Sequence, residues 1–130
     1  LAIALAPRFE AVRLWVHEPD LAERMQQSRE NDLYLPGFSL PPNIRVTSEM
    51  ADALRDAPLI LGVMPSHHAR AVYAAMTPHL APGAMVVSAT KGLENGMLLR
   101  MSQVIAAELP EARIAVLSGP TFAREIAQGQ

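Results

Sequence analysis

The chain has 130 residues, of which 50% are hydrophobic and 18% are charged, and this is enough to bury the core of one compact domain. Its net charge is only −2 and no run of like charge occurs, which argues against a protein that binds nucleic acid or anionic membranes. Cysteine is absent, and this excludes disulfides, thiolate metal sites and a cysteine nucleophile.

Neither a membrane span nor a secretory signal is predicted. The longest uncharged apolar run, Ala57–Ser66, is about half as long as a bilayer requires. The first residues lack the basic stretch and the cleavage site of a signal peptide, so we expect a cytoplasmic globular protein. Because helical patterns reach Leu1 and almost to Gln130, we expect the chain to be an excerpt of a longer polypeptide.

Hydrophobic periodicity predicts five strands that alternate with helices. The strands are expected at Val12–Val16, Ile44–Val46, Leu59–Val63, Ala84–Val87 and Ile114–Leu117. The helices are expected at Leu1–Ala6, Glu18–Arg29, Glu49–Arg55, Ala69–Met76 and Met97–Leu109, with a last one opened by Gly119-Pro120. This alternation is typical of an open, largely parallel α/β sheet, and we expect Leu59–Val63 to be covered on both faces.

Local signals refine this arrangement. Three prolines and a glycine between Glu30 and Asn43 predict a long loop without regular structure. Thr47 or Ser48 is expected to cap the third helix, and Ser66 the fourth. The helix at 97–109 is expected to bury one apolar stripe, which consists of Leu98, Met101, Ile105 and Leu109.

Ligands of parallel sheets bind beyond the carboxyl ends of the strands, so the residues that follow strands are the candidate site. His17 and Glu18 follow the first strand: a cation there suits a 2′-phosphate and an acid suits a 2′-hydroxyl, so the choice between NADP and NAD stays open. A solvated turn is the alternative. Pro65 and Ser66 follow another strand, where they either line a cofactor or simply end the strand and cap the next helix.

Lys91 and Gly119 are the two further candidates. Lys91 lies in a turn after a strand, where an ammonium stabilises the negative charge that develops on a carbonyl oxygen during hydride transfer; an ordinary surface lysine is the alternative. Gly119 lies between a strand and a helix, where free amides suit a phosphate or carboxylate, and Thr121 adds a hydroxyl. An ordinary strand-to-helix turn is the alternative. The adjacent histidines, His67 and His68, lack the spacing of a metal site.

Four strings in this order resemble one family. They are N-D-L-Y-L-P-G at 31–37, P-S-H at 65–67, T-K-G-L-E at 90–94 and S-G-P-T-F-A at 118–123. The chain resembles the N-terminal domain of bacterial NAD(P)-dependent sn-glycerol-3-phosphate dehydrogenase over essentially all its residues. The resemblance implies a doubly wound Rossmann domain that reduces dihydroxyacetone phosphate reversibly to sn-glycerol 3-phosphate with NAD or NADP, for phospholipid synthesis.

The resemblance also implies roles for single residues. Lys91 matches a lysine that touches both cofactor and substrate, His17 a basic residue near the adenosine, and Ala123 a cofactor contact. Gly119 and Thr121 match substrate-lining positions.

The fingerprint G-x-G-x-x-G does not occur in the sequence. By the resemblance, the first strand, the glycine-rich loop and the C-terminal helical substrate domain lie outside this chain. The fragment alone is therefore expected to be inactive, with two unpaired strand edges that favour self-association. A related hydroxy-acid or sugar-nucleotide dehydrogenase and a non-catalytic nucleotide-binding module are the alternative functions, and a homodimer of the intact protein stays open.

Overall fold

The computed structural model describes residues 1–119 and 122–129, and these form two compact α/β units. Unit 1 contains residues 1–53 and the described residues after 121, and unit 2 contains residues 54–119. The strands are β1 (Val12–Trp15), β2 (Glu30–Asn31), β3 (Leu35–Ser39), β4 (Ile44–Thr47), β5 (Leu59–Gly62), β6 (Met85–Ser88) and β7 (Arg113–Val116). The α-helices are α1 (Ala2–Leu5), α2 (Pro19–Ser28), α3 (Met50–Leu54), α4 (Ser66–Met76), α5 (Met101–Glu108) and α6 (Ala123–Ala127).

Unit 1 is built on the parallel pair β1 and β4, with Val12 opposite Ile44 and Trp15 opposite Thr47. Helix α2 packs against β4 through apolar residues that recur at helical spacing. The core of the unit consists of Ala6, Val16, Leu21, Ala22, Met25, Leu40, Ile44 and Val46.

The expected irregular loop at 30–43 is wrong in part, because β2 and β3 pair there as an antiparallel hairpin. The side-chain oxygen of Asn31 accepts a 2.9 Å hydrogen bond from the amide of Tyr34, and the Glu30 carboxylate accepts one from the amide of Gly37. Pro36 is tolerated within β3 because an edge strand leaves one row of amides without a ladder partner. Side-chain acceptors thus stabilise a hairpin in a segment whose composition indicates a loop.

Unit 2 is built on a three-stranded parallel sheet with the order β5–β6–β7. Gly62 lies opposite Ser88, and Ser88 lies opposite Val116, so the three strands end level with one another. Helices α4 and α5 pack together and bury Tyr73, Val104 and Ile105 completely. The expectation that β5 is covered on both faces is wrong at its first residue, because Leu59 is 47% exposed.

Three helices begin three or more residues away from their predicted starts, and the other three begin one residue late. Helix α4 begins at Ser66 itself, and Pro65 occupies the cap position without a side-chain hydrogen bond. Helix α5 begins at Met101, because Leu98 adopts a left-handed backbone (φ +56°) and is 68% exposed rather than part of a buried stripe. Helix α6 begins at Ala123 after an extended Phe122, and Pro120, which was expected to open this helix, lies outside the described residues.

The third helix begins one residue later and ends one residue earlier than the predicted Glu49–Arg55. The hydroxyl of Thr47 accepts a 3.0 Å hydrogen bond from the amide of Glu49, one residue before α3 begins at Met50. No helix in the described part of the chain is both long and apolar enough to cross a membrane.

Candidate functional site

The level strand ends of unit 2 bring three predicted site residues to one edge of the sheet. Pro65 comes three residues after β5, Lys91 three residues after β6 and Gly119 three residues after β7. All three are exposed. Parallel strands present their carboxyl ends at the same edge, and this is where α/β proteins bind ligands. The register therefore shows that the three strands before these residues end at one edge of the sheet, whereas the site and the residues' roles remain predictions.

The sheet pairing continues past the last strand residues. The amide of Ala89 donates to the carbonyl of Gly62 at 2.9 Å, and the amide of Leu117 donates to the carbonyl of Ser88 at 2.8 Å. These bonds fix the direction in which the segments after β6 and β7 leave the sheet.

Two hydroxyl groups tie the segment after β6 to its surroundings. The hydroxyl of Thr90 accepts a hydrogen bond from the amide of Met64 at 3.3 Å, and the amide of Thr90 donates to the Ser88 hydroxyl at 3.3 Å. Ser88 is fully buried, so its hydroxyl is shielded from water. Lys91 follows directly; it is the only lysine of the chain, and it is exposed.

Glycines shape two of the turns at this edge. Gly92 has φ +92° and Gly119 has φ +138°, and both values are unfavourable for residues with a side chain. A Cβ atom at Gly92 would lie 3.6 Å from the Ser66 hydroxyl, whereas one at Gly119 would meet nothing within 4 Å among the described atoms. The backbone at Gly119 is therefore open to close approach by a ligand.

Behind Lys91, a charged cluster joins the same segment to two helices. Arg70 of α4 forms a bidentate ion pair with Glu94, through Nε to Oε1 and through Nη2 to Oε2 at 2.9 Å. Its third nitrogen, Nη1, donates to Glu108 of α5. Hydrogen bonds from Arg70 lower the pKa of Glu94, and the two carboxylates raise the pKa of Arg70. The cluster borders an open groove of about 440 Å³ that Ser66 and His67 also line.

A buried hydroxyl lies beneath the same edge. Tyr73 is fully buried, and its hydroxyl has no partner in hydrogen-bonding geometry among the described residues. Burial raises the pKa of Tyr73, and the nearby Ser88 hydroxyl opposes this only in part. The ring lies so close to Gly62 that a Cβ atom there would collide with the tyrosine oxygen. The end of β5 is thus packed without space for a side chain.

The remaining predicted residues lie in unit 1 or outside the described residues. His17 is exposed after β1, and its ring contacts Trp15 edge-on with centroids 5.7 Å apart. The carboxylate of Glu18 accepts a 3.3 Å hydrogen bond from the Tyr34 hydroxyl. Ala123 is the exposed first residue of α6. Thr121, like Pro120, lies outside the described residues.

Sequence reasoning missed the cluster of Arg70, Glu94 and Glu108. Its members are 24 and 38 residues apart in sequence, so no local pattern links them. The only local signal is that Arg70 lies within a mostly apolar helical segment, A-R-A-V-Y-A-A-M at 69–76. Each charge in such a position requires a partner.

The edge suits an anionic ligand in its chemistry. It offers an exposed lysine and a glycine backbone with open space, and both are compatible with an anionic ligand that approaches closely. No group of three side chains suited to hold a metal ion occurs within residues 1–119 and 122–129. In chemical terms, the arrangement can bind an anion and stabilise negative charge beside it.

Comparisons with known proteins agree over the whole chain. The chain is 44% identical to a protein of Koribacter versatilis (strain Ellin345) named glycerol-3-phosphate dehydrogenase (NAD(P)+), over 99% of this chain and 40% of that protein. It is 49% identical to the protein of that name from Mycobacterium leprae (strain TN), over 92% of this chain and 35% of the relative. The chain thus spans about 40% of the length of the curated relatives it matches.

Solved structures and a family model give the same assignment. The crystal structure of glycerol-3-phosphate dehydrogenase from Coxiella burnetii superposes with a TM-score of 0.91 at 34% identity, over 98% of this chain and 39% of that one. The glycerol-3-phosphate dehydrogenase of Saccharomyces cerevisiae gives a TM-score of 0.85 at 26% identity, over 98% and 40%. These likenesses confirm the Rossmann-like fold. The model described as NAD-dependent glycerol-3-phosphate dehydrogenase N-terminus matches residues 1–130, and the chain therefore belongs to this family of N-terminal dehydrogenase domains.

Proposed function

We propose that residues 1–130 form the NAD(P)-binding part of an enzyme that reduces dihydroxyacetone phosphate reversibly to sn-glycerol 3-phosphate. The observation that carries this proposal is the common edge of Pro65, Lys91 and Gly119, set by the level ends of β5, β6 and β7. Family membership supports the reaction, because the matched relatives carry that name. The first strand, the glycine-rich loop and a helical substrate domain would be supplied by further chain, as the greater length of the relatives suggests.

Lys91 is proposed as the catalytic cation. Reduction of a ketone places negative charge on the carbonyl oxygen, and a nearby ammonium stabilises that charge more in the transition state than in the ground state. The ammonium also attracts the anionic substrate before reaction. The hydroxyls of Ser88 and Thr90 hold the preceding backbone, so the lysine starts from a defined position.

The other predicted residues are proposed to bind the cofactor and the substrate and to orient them. Pro65 would line the cofactor, and Gly119 with Thr121 would approach the substrate, since the backbone at Gly119 is open. In unit 1, His17 and Ala123 are proposed as cofactor contacts. The nicotinamide, when bound, supplies or accepts the hydride. Because His17 and Glu18 adjoin each other after β1, the proposal covers both NAD and NADP.

We further propose that the reaction serves phospholipid synthesis in the cytoplasm, where a phosphorylated triose is retained because its charge opposes transfer into a bilayer. Fractionation of cells with an antibody to this domain tests the location.

A homodimer of the complete enzyme is part of the proposal. Light scattering of the purified protein measures its mass and thereby its oligomeric state.

Substitution of Lys91 tests the proposed function. In the full-length polypeptide that carries this sequence, we expect Lys91→Ala to lower kcat/KM for dihydroxyacetone phosphate by about 10²–10³-fold, the usual scale for removing one charge-stabilising group. Arg113→Ala is the matched control, because Arg113 is an exposed cation at the opposite end of the same sheet, on the first residue of β7. Its kcat/KM should stay within about twofold of the unsubstituted protein.

Other outcomes would overturn the proposal. Near-normal kcat/KM for Lys91→Ala would remove this residue from the mechanism. Turnover of hydroxy acids or sugar nucleotides, but not of dihydroxyacetone phosphate, would identify a related dehydrogenase. Calorimetric binding of NADH or NADPH without turnover of any triose phosphate would identify a non-catalytic module.

A further inference from the structure

We propose that the ion pair between Arg70 and Glu94 is a positioning device that anchors the Lys91 segment and thereby sets where the lysine ammonium lies. This inference rests on the proposed function for its catalytic consequence. Its structural part concerns only contacts within unit 2 and is tested separately below.

The Lys91 segment is held at its two ends and exposed between them. Upstream, Thr90 is fixed through its hydroxyl and its amide. Downstream, Glu94 is only 8% exposed, although Leu93 beside it is 48% exposed. Lys91 and Gly92 are exposed as well, and Gly92 has a left-handed backbone. A short exposed turn that contains a glycine depends on its end points for a defined shape.

The downstream end point is rigid for a geometric reason. Two parallel hydrogen bonds join the planar guanidinium of Arg70 to the Glu94 carboxylate, which fixes orientation as well as distance. Arg70 lies on α4 next to the fully buried Ala69, so its backbone belongs to the packed core. The Glu94 amide also donates to the carbonyl of Leu99 at 2.9 Å, which closes the turn behind it. Glu94 is thus fixed by side chain and backbone.

Arg70 is better suited to this role than to binding a substrate anion. Nitrogen atoms Nε and Nη2 face Glu94, and Nη1 faces Glu108. One positive charge is therefore met by two carboxylates, and the cluster carries no excess positive charge. Arg70 and Glu94 are accordingly positioning residues, which act through the backbone of the segment that carries Lys91.

The test compares two substitutions that each remove one carboxylate from Arg70, in the full-length polypeptide. Glu94→Gln weakens the anchor of the Lys91 segment, whereas Glu108→Gln removes the partner on α5 and leaves the segment held. For Glu94→Gln we expect faster deuterium uptake by the amides of residues 91–95, and a loss in kcat of roughly ten- to hundredfold with little change in KM for NADH or NADPH. For Glu108→Gln, the deuterium uptake at residues 91–95 and kcat should both stay within about twofold of the unsubstituted protein.

Conservative and exchanged variants of Arg70 distinguish a positioning role of the ion pair from a general loss of stability. Arg70→Lys keeps the charge but cannot form the bidentate pair, so it should resemble Glu94→Gln in uptake and kcat while retaining the melting temperature more closely than Arg70→Met. The exchange Arg70→Glu with Glu94→Arg, made in the Glu108→Gln background so that the new carboxylate does not face Glu108, should restore part of the protection at residues 91–95.

Unchanged uptake at 91–95 in Glu94→Gln would overturn the proposal, and so would equal effects of Glu94→Gln and Glu108→Gln. Faster uptake with normal kcat would also overturn it, because the anchor would then have no bearing on Lys91. Absence of dehydrogenase activity in the unsubstituted protein would instead refute the proposed function and, with it, the catalytic consequence; uptake alone would then decide whether Glu94 anchors the segment.

Discussion

Gly62 and Tyr73 share one space at the end of β5, and each limits what the other position tolerates. The tyrosine oxygen occupies the place of a Cβ atom at residue 62, and two further ring carbons lie 3.1 and 3.3 Å from that place. The hydroxyl is buried without a partner in hydrogen-bonding geometry among the described residues. The tyrosine therefore fills volume at the cost of an unsatisfied polar atom.

A double-mutant cycle measures this coupling. Gly62→Ala should lower the free energy of unfolding by about 1–3 kcal/mol, the usual cost of overpacking a core. Tyr73→Phe should leave it unchanged or raise it by up to about 1 kcal/mol, because the unpaired hydroxyl is removed. In the double variant the cost of Gly62→Ala should fall, since the colliding oxygen is gone. Urea denaturation of the four proteins measures the coupling energy, and additive effects would contradict the contact.

At the level of elements, the cluster of Arg70, Glu94 and Glu108 couples α4, α5 and the turn that carries Lys91. Arg70 holds the pKa of Glu94 below its usual value of 4.5. A carboxylate with a lowered pKa stabilises the folded state above the unfolded pKa and loses this contribution as the pH falls through the folded pKa. The link between the three elements should therefore weaken in acid.

Thermal melts between pH 3.5 and pH 8 test this dependence. The melting temperature of the unsubstituted protein should exceed that of Glu94→Gln by a constant amount above about pH 6, and the difference should shrink below about pH 4.5. The control Arg113→Ala should follow the unsubstituted protein in shape. A difference that stays constant or widens in acid would show that Glu94 does not titrate as a partner of Arg70.

The elements also show what the sequence can predict and where it fails. The five expected strands all form, because continuous or alternating apolar runs are local signals. The hairpin at 30–39 was missed because the side-chain acceptors of Glu30 and Asn31 offset the proline and glycine within it. The start of the fifth helix was misplaced because the apolar spacing runs on through Leu98, where the backbone is left-handed.

The candidate site, like the fold, could be predicted from the sequence only where the signals are local. Pro65, Lys91 and Gly119 are site candidates because they follow strands, and the parallel register shows that these three strands end level with one another. Arg70 and Glu94 could not be paired from the sequence, because their contact depends on how α4 packs beside the turn after β6. Local patterns thus identify residues at strand ends, whereas long-range pairs require the fold.

At the scale of the whole molecule, the sheets leave strand edges without partners. Within residues 1–119 and 122–129, β1 pairs only with β4, and β5 pairs only with β6. Apolar side chains on the two edge strands of unit 2 are also accessible: Leu59 on β5 is 47% exposed and Val116 on β7 is 56% exposed. Unpaired strand edges and accessible apolar groups favour pairing between copies of a chain.

The isolated 130-residue chain is therefore expected to self-associate. Light scattering after gel filtration should give a mass above 14.1 kDa that increases with protein concentration. Moderate salt should not dissolve the assemblies, because backbone pairing and apolar contact drive them rather than charge. A monomer with one cooperative melting transition would contradict this expectation.

The level ends of β5, β6 and β7 have a consequence for divergence within the family. Three turns that are far apart in the sequence begin at the same edge of the sheet, because the backbone hydrogen bonds between β5, β6 and β7 keep the strand ends level. The sequence of a turn can change while the hydrophobic layer beneath it stays intact, although the turns after β5 and β6 share the hydrogen bond from the Met64 amide to the Thr90 hydroxyl. Relatives can thus acquire different ligand preferences through changes in these short turns, while the sheet and its packed helices are retained.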